Sequence, residues 1–327
     1  MAKVSEVSPR IYHYTNEQGL YGILGNKCLW ATHYKFLNDY SEIVLFRNKL
    51  IEFLYPSTLN YFKALIPKYP NAPAVISANG GLDAVVKHEL ENFVDSSYDA
   101  TGHEIYITSF TGEHSDPFIN ENGLLSQWRA YGVDGGFAIV FNTQELEAML
   151  ALEHDCFHYD NILIADVVYS DDEEKYKSEL SESLHKISVC QKNLFEHILQ
   201  GRHEQPDNLV EAYEPFVSCI TRWKHHGFKE EQEFRIVSMP TVLNREYKET
   251  AGENHCNSKP EKKREFRDRN GKRTPYIELF RSLDTPLPIE KIIVGPHKDK
   301  DIRAARLRVE LRNTDIKVIT VSEIPYQ

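Results

Sequence analysis

Two carboxylates stand two residues apart in the segment Glu231-Gln-Glu-Phe-Arg-Ile-Val237. Phe234 and Ile236 alternate with Glu231, Glu233 and Arg235, which is the period of a half-buried strand. On such a strand both carboxylates project from one face. Facing a cleft, they repel each other, and the pKa of one rises. This pair suits an enzyme that must hold a sugar hydroxyl and also handle a proton. The same pattern also fits a solvated strand face on which Arg235 offsets the two acids.

A second candidate is His13, set between Tyr12 and Tyr14 in Ile11-Tyr-His-Tyr-Thr15. A strand followed by a helix cap leaves backbone groups exposed beside the imidazole, where a small polar ligand can hydrogen-bond. A packed structural histidine is the plainer reading. Thr108-Ser109-Phe110 ends a strand with two hydroxyls, and Gln127, Trp128 and Tyr131 fall at helical spacing. Ordinary turn bonding and core packing explain these equally well.

Metal and phosphate motifs are missing. His225 and His226 are adjacent, so their side chains diverge, and His154 and His158 lack the H-E-x-x-H pattern. There is no P-loop, no G-x-G-x-x-G and no serine-hydrolase elbow. The expected metal complement is none.

The elements that must position these residues follow from periodicity. Ile11–Thr15 reads as a strand. Thr15 or Asn16 can cap a helix starting at Glu17, which Gly25 and Asn26 end. Leu29–His33 is a second strand, and Asn38–Ser41 a turn and cap. Residues 41–97 read as a helical excursion broken by Pro56, Pro67, Pro70 and Pro73. Strands follow at 104–110, 137–141 and 162–169, with Gly135-Gly136 suited to a hairpin-type turn. Helices are expected from Asn142 or Thr143 to 152, over 171–199 and over 208–223. After the strand 231–237, residues 244–273 read as a long polar loop. The tail reads strand 289–294, helix 299–311, strand 316–321. Short strands interrupted by helical excursions predict an α+β fold. We expect a single domain over 1–327, with helical insertions near 41–97 and 171–223 and a flexible basic loop near 244–273.

The 327-residue chain has the composition of an ordinary globular protein and can bury a substantial core. Its five cysteines are scattered, with no C-x-x-C pair, and are expected to be reduced. No apolar run approaches a membrane span, and Met1–Arg10 lacks an apolar signal region. The expected location is cytoplasmic. A net charge of −11 argues against a surface that grips nucleic acid throughout. One basic run, Lys259–Arg264 continuing through Arg267, Arg269, Lys272 and Arg273, is either a solvated loop or an arm facing a phosphate-bearing substrate.

Several of these segments together resemble domain of unknown function 2971. They are Ile11–Leu24, Leu29–Asp39, Ile107–Phe110, Gln127–Tyr131, Gly136–Phe141 and Lys224–Arg235. The first segment also resembles the opening of ADP-ribosyltransferases, particularly the DNA-modifying toxins. That resemblance implies a split β-sheet cleft that binds NAD as the substrate. It implies that His13 contacts the adenosine ribose and that backbone groups at His13 and Tyr14, beside Thr15, hold the nicotinamide amide. Thr108 and Ser109 correspond to the hydroxyl-bearing middle motif. Glu231-Gln-Glu233 corresponds to the E-x-E motif, with Glu233 catalytic and Glu231 orienting or deprotonating the acceptor. Tyr34 and Tyr131 compete as the ring that stacks on nicotinamide. Many such enzymes carry Gly directly after the His, where this chain has Tyr14. The resemblance further implies a toxin or phage-defence effector with a nucleic-acid acceptor and a neutralising antitoxin partner. The other readings are a protein acceptor, a metal-dependent nuclease using Glu231 and Glu233, and a non-catalytic NAD-binding module.

Overall fold

The computed structural model describes residues 3–37, 40–101, 104–132, 135–199, 212–243, 258–269, 271–316 and 318–325. Twelve strands are found among them: β1 Arg10–Thr15, β2 Leu29–His33, β3 Tyr106–Gly112, β4 Phe137–Asn142, β5 Tyr159–Asp166, β6 Val168–Tyr169, β7 Trp223–Lys224, β8 Glu233–Pro240, β9 Glu265–Arg269, β10 Lys272–Leu279, β11 Ile289–Val294 and β12 Val318–Val321. The protein is mixed α/β, and the chain forms two compact units. One comprises Met1–Phe36, Ile105–Val167 and Gly227–Gln327; the other comprises Leu37–Glu104 and Val168–His226.

The first unit is built on one ten-stranded sheet. Its main path runs β12-β11-β4-β1-β3-β2-β10-β9, and β8 and β5 extend it from β3. The β11·β12 pair is parallel and the remaining pairs are antiparallel. Side-chain alternation divides the core. Ile11, Phe110, Ile139, Phe234, Ile236 and Ile292 face one side, with Leu20, Leu146 and Leu307 from three helices packed there. Tyr12, Tyr14, Ala138, Val140 and Ile293 face the other, against Leu124 and Trp128. Burying each such large apolar side chain contributes roughly 1.5–3 kcal/mol over leaving it in water.

Local signals set the element ends. Asn16, and not Thr15, caps the helix Glu17–Asn26: its side chain accepts from Gly19 N–H at 2.8 Å. The left-handed residue closing that helix is Lys27 rather than Gly25 or Asn26. Asn142 caps Thr143–Cys156 by accepting from Glu145 N–H at 3.0 Å. Gly135 has φ +83° but stands between the helix Leu125–Tyr131 and β4 rather than in the expected hairpin-type turn, and Gly136 is needed for close approach. A Cβ there would sit 2.4 Å from Gly132 Cα and 2.7 Å from the Thr15 carbonyl oxygen.

The second unit contains the expected helical excursions: Tyr40–Leu65, Leu82–Thr101, Glu173–Glu179, Ser181–Leu199 and Tyr213–Thr221. The first of these runs through Pro56 instead of breaking there, and ends at Leu65 before Pro67. Tyr176 packs against Phe46 and stacks on Phe53, and Trp223 of the parallel β6·β7 pair also meets Phe46. Among the described residues no helix is long and apolar enough to cross a membrane.

The basic segment corrects the expectation of a loop through Arg273. β9 and β10 form a hairpin, with Gly271 at φ +73° in its turn. Most of its cations are used internally. Lys262 is buried and donates to Glu153 Oε1 at 2.5 Å, Lys259 donates to the His154 carbonyl, and Arg264 bonds Glu261 and the carbonyls of Lys262 and Pro240. Residues 244–257, including Cys256, and the expected turn at Asn38–Asp39 lie outside the described residues, as do 208–211.

Glu153 is the polar centre of this region. Fully buried at the end of its helix, it also accepts from Tyr159 Oη at 2.8 Å and, through Oε2, from Phe280 N–H at 3.0 Å. One carboxylate thus ties a helix to β5, to the basic segment and to the end of β10. Truncating it strands a buried ammonium and a buried N–H. Glu153→Ala should cost about 3–5 kcal/mol in chemical denaturation, and adding Lys262→Met should restore part of it. Equal stability of Glu153→Ala and the parent chain would exclude this role.

Candidate functional site

The site is built where the sheet forks. β8 occupies one edge of β3 from Tyr106 to Thr111. The other edge is shared. β1 pairs only with its end, at Thr111 and Gly112, and β2 only with its start, at Tyr106 and Ile107. Thr108, Ser109 and Phe110 have no strand partner on that edge. Buried backbone groups must still be satisfied, and side chains do this across the opening. His13 Nδ1 lies 3.0 Å from the Ser109 carbonyl oxygen, and Thr108 Oγ1 donates to the Trp30 carbonyl oxygen at 3.2 Å.

His13 therefore stands at the fork, its ring 5.6 Å from that of Phe110. A carbonyl can only accept, so Nδ1 carries the proton in this contact. Burial, and the nearby charge of Arg267, hold the imidazole below the ordinary histidine pKa, although the Ser109 bond opposes this. In the neutral ring Nε2 is then an acceptor, suited to a hydroxyl.

Ser109 lies opposite Arg235 and Thr111 opposite Glu233, so these four share one sheet face. Ser109 is exposed at the centre of an otherwise buried strand. Arg235 Nε donates to Glu233 Oε1 at 2.7 Å and Nη2 donates to Oε2 at 3.0 Å. Both side chains are 4 % exposed. This two-pronged, charge-assisted contact fixes the carboxylate plane.

The register brings β2 and the hairpin to the same face. Thr32 lies opposite Ile107 on β3 and Tyr276 on β10. Arg267, from β9, donates through Nη2 to Thr32 Oγ1 at 2.9 Å. Its guanidinium lies 4.9 Å from the Trp30 ring centre and 5.5 Å from that of Tyr276. Sequence reasoning did not single out Trp30, Thr32 or Tyr276 and named Arg267 only within the basic run. The missed signal was Asn270-Gly271, a strong hairpin dipeptide between alternating residues.

Other expected residues are placed differently. Glu231 closes the 3-10 helix His226–Glu231, and Gln232, at φ +44°, separates it from β8. Glu231 and Glu233 therefore do not share a strand face as the alternation predicted. Tyr14 is buried, with its hydroxyl accepting from Leu124 N–H at 2.8 Å and its ring edge-on to Trp128. Thr15 ends β1 with its hydroxyl against Gly19. Tyr34 is buried in a turn after β2, and Tyr131 is exposed at the end of the helix Leu125–Tyr131. His158 falls past the helix end at Cys156, so it does not form a helical pair with His154. Among the described residues no three His, Cys, Asp or Glu side chains form a group able to hold a metal ion.

Residues 127–236 match the sequence model of a family described as a protein of unknown function (DUF2971). No curated protein and no solved structure matches the chain. The matched span runs from the Trp128 helix through β4, β5 and the Glu233–Arg235 pair.

Three outcomes test the geometry. Below about pH 6.5 an unfolded histidine takes up a proton that His13 in the folded chain resists. Stability should therefore fall as pH drops from there towards the folded-state pKa, and His13→Gln should flatten that part of the profile. Long-range ¹H–¹⁵N spectra should show the neutral Nδ1–H tautomer at pH 7. Arg235→Met leaves Glu233 buried without its fork and should cost about 3–5 kcal/mol in denaturation.

Proposed function

We propose that the chain is an ADP-ribosyltransferase that cleaves NAD at the forked sheet. The observation that carries this reading is the fork itself. It leaves a gap between β1 and β2 beside Thr108–Phe110, where His13 meets the Ser109 carbonyl, while the Ser109 and Glu233 side chains lie on the sheet face opposite Phe110 and Phe234. A dinucleotide needs hydroxyl acceptors, amide partners and an anionic group near the ribose whose bond breaks. His13 Nε2 offers an acceptor for a ribose hydroxyl. The Ser109 hydroxyl is exposed on its sheet face and can bond a carboxamide.

In the proposed reaction the bond from ribose C1′ to nicotinamide breaks, and its electron pair leaves with nicotinamide. Positive charge develops on the ribose, and the acceptor's nucleophile forms the new bond at C1′ as it loses its proton. Glu233 accepts from the 2′-hydroxyl and stabilises that charge, a term worth several kcal/mol in such sites. Arg235 is a positioning residue: it takes two of the carboxylate's roughly four acceptor directions and holds its plane. Glu231, at the end of the 3-10 helix that precedes β8, would orient the incoming nucleophile or take its proton.

The acceptor we favour is nucleic acid, on the toxin resemblance. The internal pairing of Lys259, Lys262 and Arg264 takes away part of the basic arm that would have gripped it, so a protein acceptor stays open to the same test. A neutralising protein partner belongs to the same reading. The burial of Glu233 against Arg235 favours one further reading, a module that binds NAD and does not cleave it.

The deciding measurement is nicotinamide release from NAD by the full chain, alone and with cellular RNA, DNA or protein. Glu233→Gln should abolish release, by a factor of about 10²–10³ or more, while NAD binding survives. Release at parental rates in Glu233→Gln would end the assignment of Glu233. NAD binding without release under every condition would establish the non-catalytic module.

A further inference from the structure

We propose that Arg267 is the receptor for an oxyanion, the phosphate group of a ligand that enters the sheet fork. The inference deepens the dinucleotide reading but rests on it only for the ligand's identity.

The guanidinium is held in place before any ligand arrives. Trp30 and Tyr276 flank it, and Thr32 Oγ1 takes one of its five N–H groups. Its Nε atom is buried and has no hydrogen-bond partner. A buried donor left unmade is costly and calls for an explanation. Among the described residues no carboxylate pairs with Arg267. The acids on its face of the hairpin are engaged elsewhere: Glu265 pairs with Lys263, and Glu278 with Arg281. Arg235, by contrast, is taken by Glu233.

A structural arginine in an acidic chain would be expected to find one of its many carboxylates. Arg267 is instead held by aromatic faces, which orient the planar cation and leave its edge for hydrogen bonding. Burial and the neighbouring Arg269 both disfavour the charged form. An entering anion would reverse both penalties and satisfy Nε–H. A phosphate oxygen matches this edge, because a guanidinium presents paired N–H groups at the spacing of two phosphate oxygens. Thr32 lies opposite Ile107 of β3, two residues from Ser109. An oxyanion there sits beside the gap where the proposed ligand's sugar and amide would lie.

The test uses the full chain labelled with ¹⁵N, and the Nε–H resonance of Arg267, assigned by its loss in Arg267→Lys. Titration with pyrophosphate at constant ionic strength should move that resonance and saturate in parallel with calorimetric binding. Arg267→Gln should weaken pyrophosphate binding by about tenfold or more, the loss of charge-assisted hydrogen bonds. Lys272→Gln, which removes an exposed cation from the same hairpin, should change it by less than about twofold, since a solvated charge is screened. An unmoved Nε–H at saturating pyrophosphate, or equal losses in the two Gln variants, would overturn the receptor.

Inorganic phosphate and NAD serve as competitors. Displacement of pyrophosphate by NAD would support the site and give its source as the dinucleotide. Displacement by inorganic phosphate alone would support the site with a different phosphate ligand. Failure of nicotinamide release with pyrophosphate binding intact would count against the transferase alone. Release without any response at Arg267 would count against the receptor alone.

Discussion

The structure of the first unit depends on one constraint: β3 has a full partner on one edge and two half-partners on the other. A strand cannot leave three residues of buried backbone unanswered. In this sheet the answer comes from side chains, His13 reaching the Ser109 carbonyl and Thr108 reaching the Trp30 carbonyl. One bond joins β1 to β3 and the other joins β3 to β2, so both arms stay tied to β3 where their ladders stop. The arms can then diverge, one towards β4, β11 and β12, the other towards β10 and β9. The gap between the arms lies on strands rather than loops.

The elements around this gap were largely legible in the sequence, because each rests on short-range periodicity. β2 and β11 fall where alternation puts them, and the Asn16 and Asn142 caps open their helices as residue type predicts. The fork was not legible in that way. It depends on which half of β3 meets which strand, and such pairings join residues about 75 to 100 positions apart. No local pattern encodes that. The Glu231/Glu233 pair failed for a local reason instead. Alternation assumes uninterrupted strand geometry, and the left-handed backbone at Gln232 ends it one residue before Glu233. The hairpin at 265–279 was hidden by its own charge, since a basic run reads as solvent-facing until its pairing partners are known.

Charge is distributed around the gap in an uneven way for a chain of net −11. Most arginines and lysines near it are paired in ways that serve the fold. Lys262 answers the buried Glu153, Arg264 ties strand ends together, and Arg235 clamps Glu233. Such pairs are individually weak evidence for stability, because desolvation offsets much of their attraction. Their effect here is positional: they fix Glu233 and the base of β10. Arg267 stands apart because aromatic rings, and not an acid, hold it.

His13 and Arg267 are then coupled in a definite direction. The charge of Arg267 is one of the causes that lower the His13 pKa, after burial. An anion at Arg267 would cancel part of that repulsion and raise the pKa of His13. By reciprocity, protonating His13 would strengthen anion binding. Yet a protonated His13 loses the Nε2 acceptor that a ribose hydroxyl needs. A ligand carrying both a phosphate and a sugar hydroxyl thus meets opposing demands at the two residues. Burial favours the neutral ring, which keeps Nε2 an acceptor near the Arg267 cation.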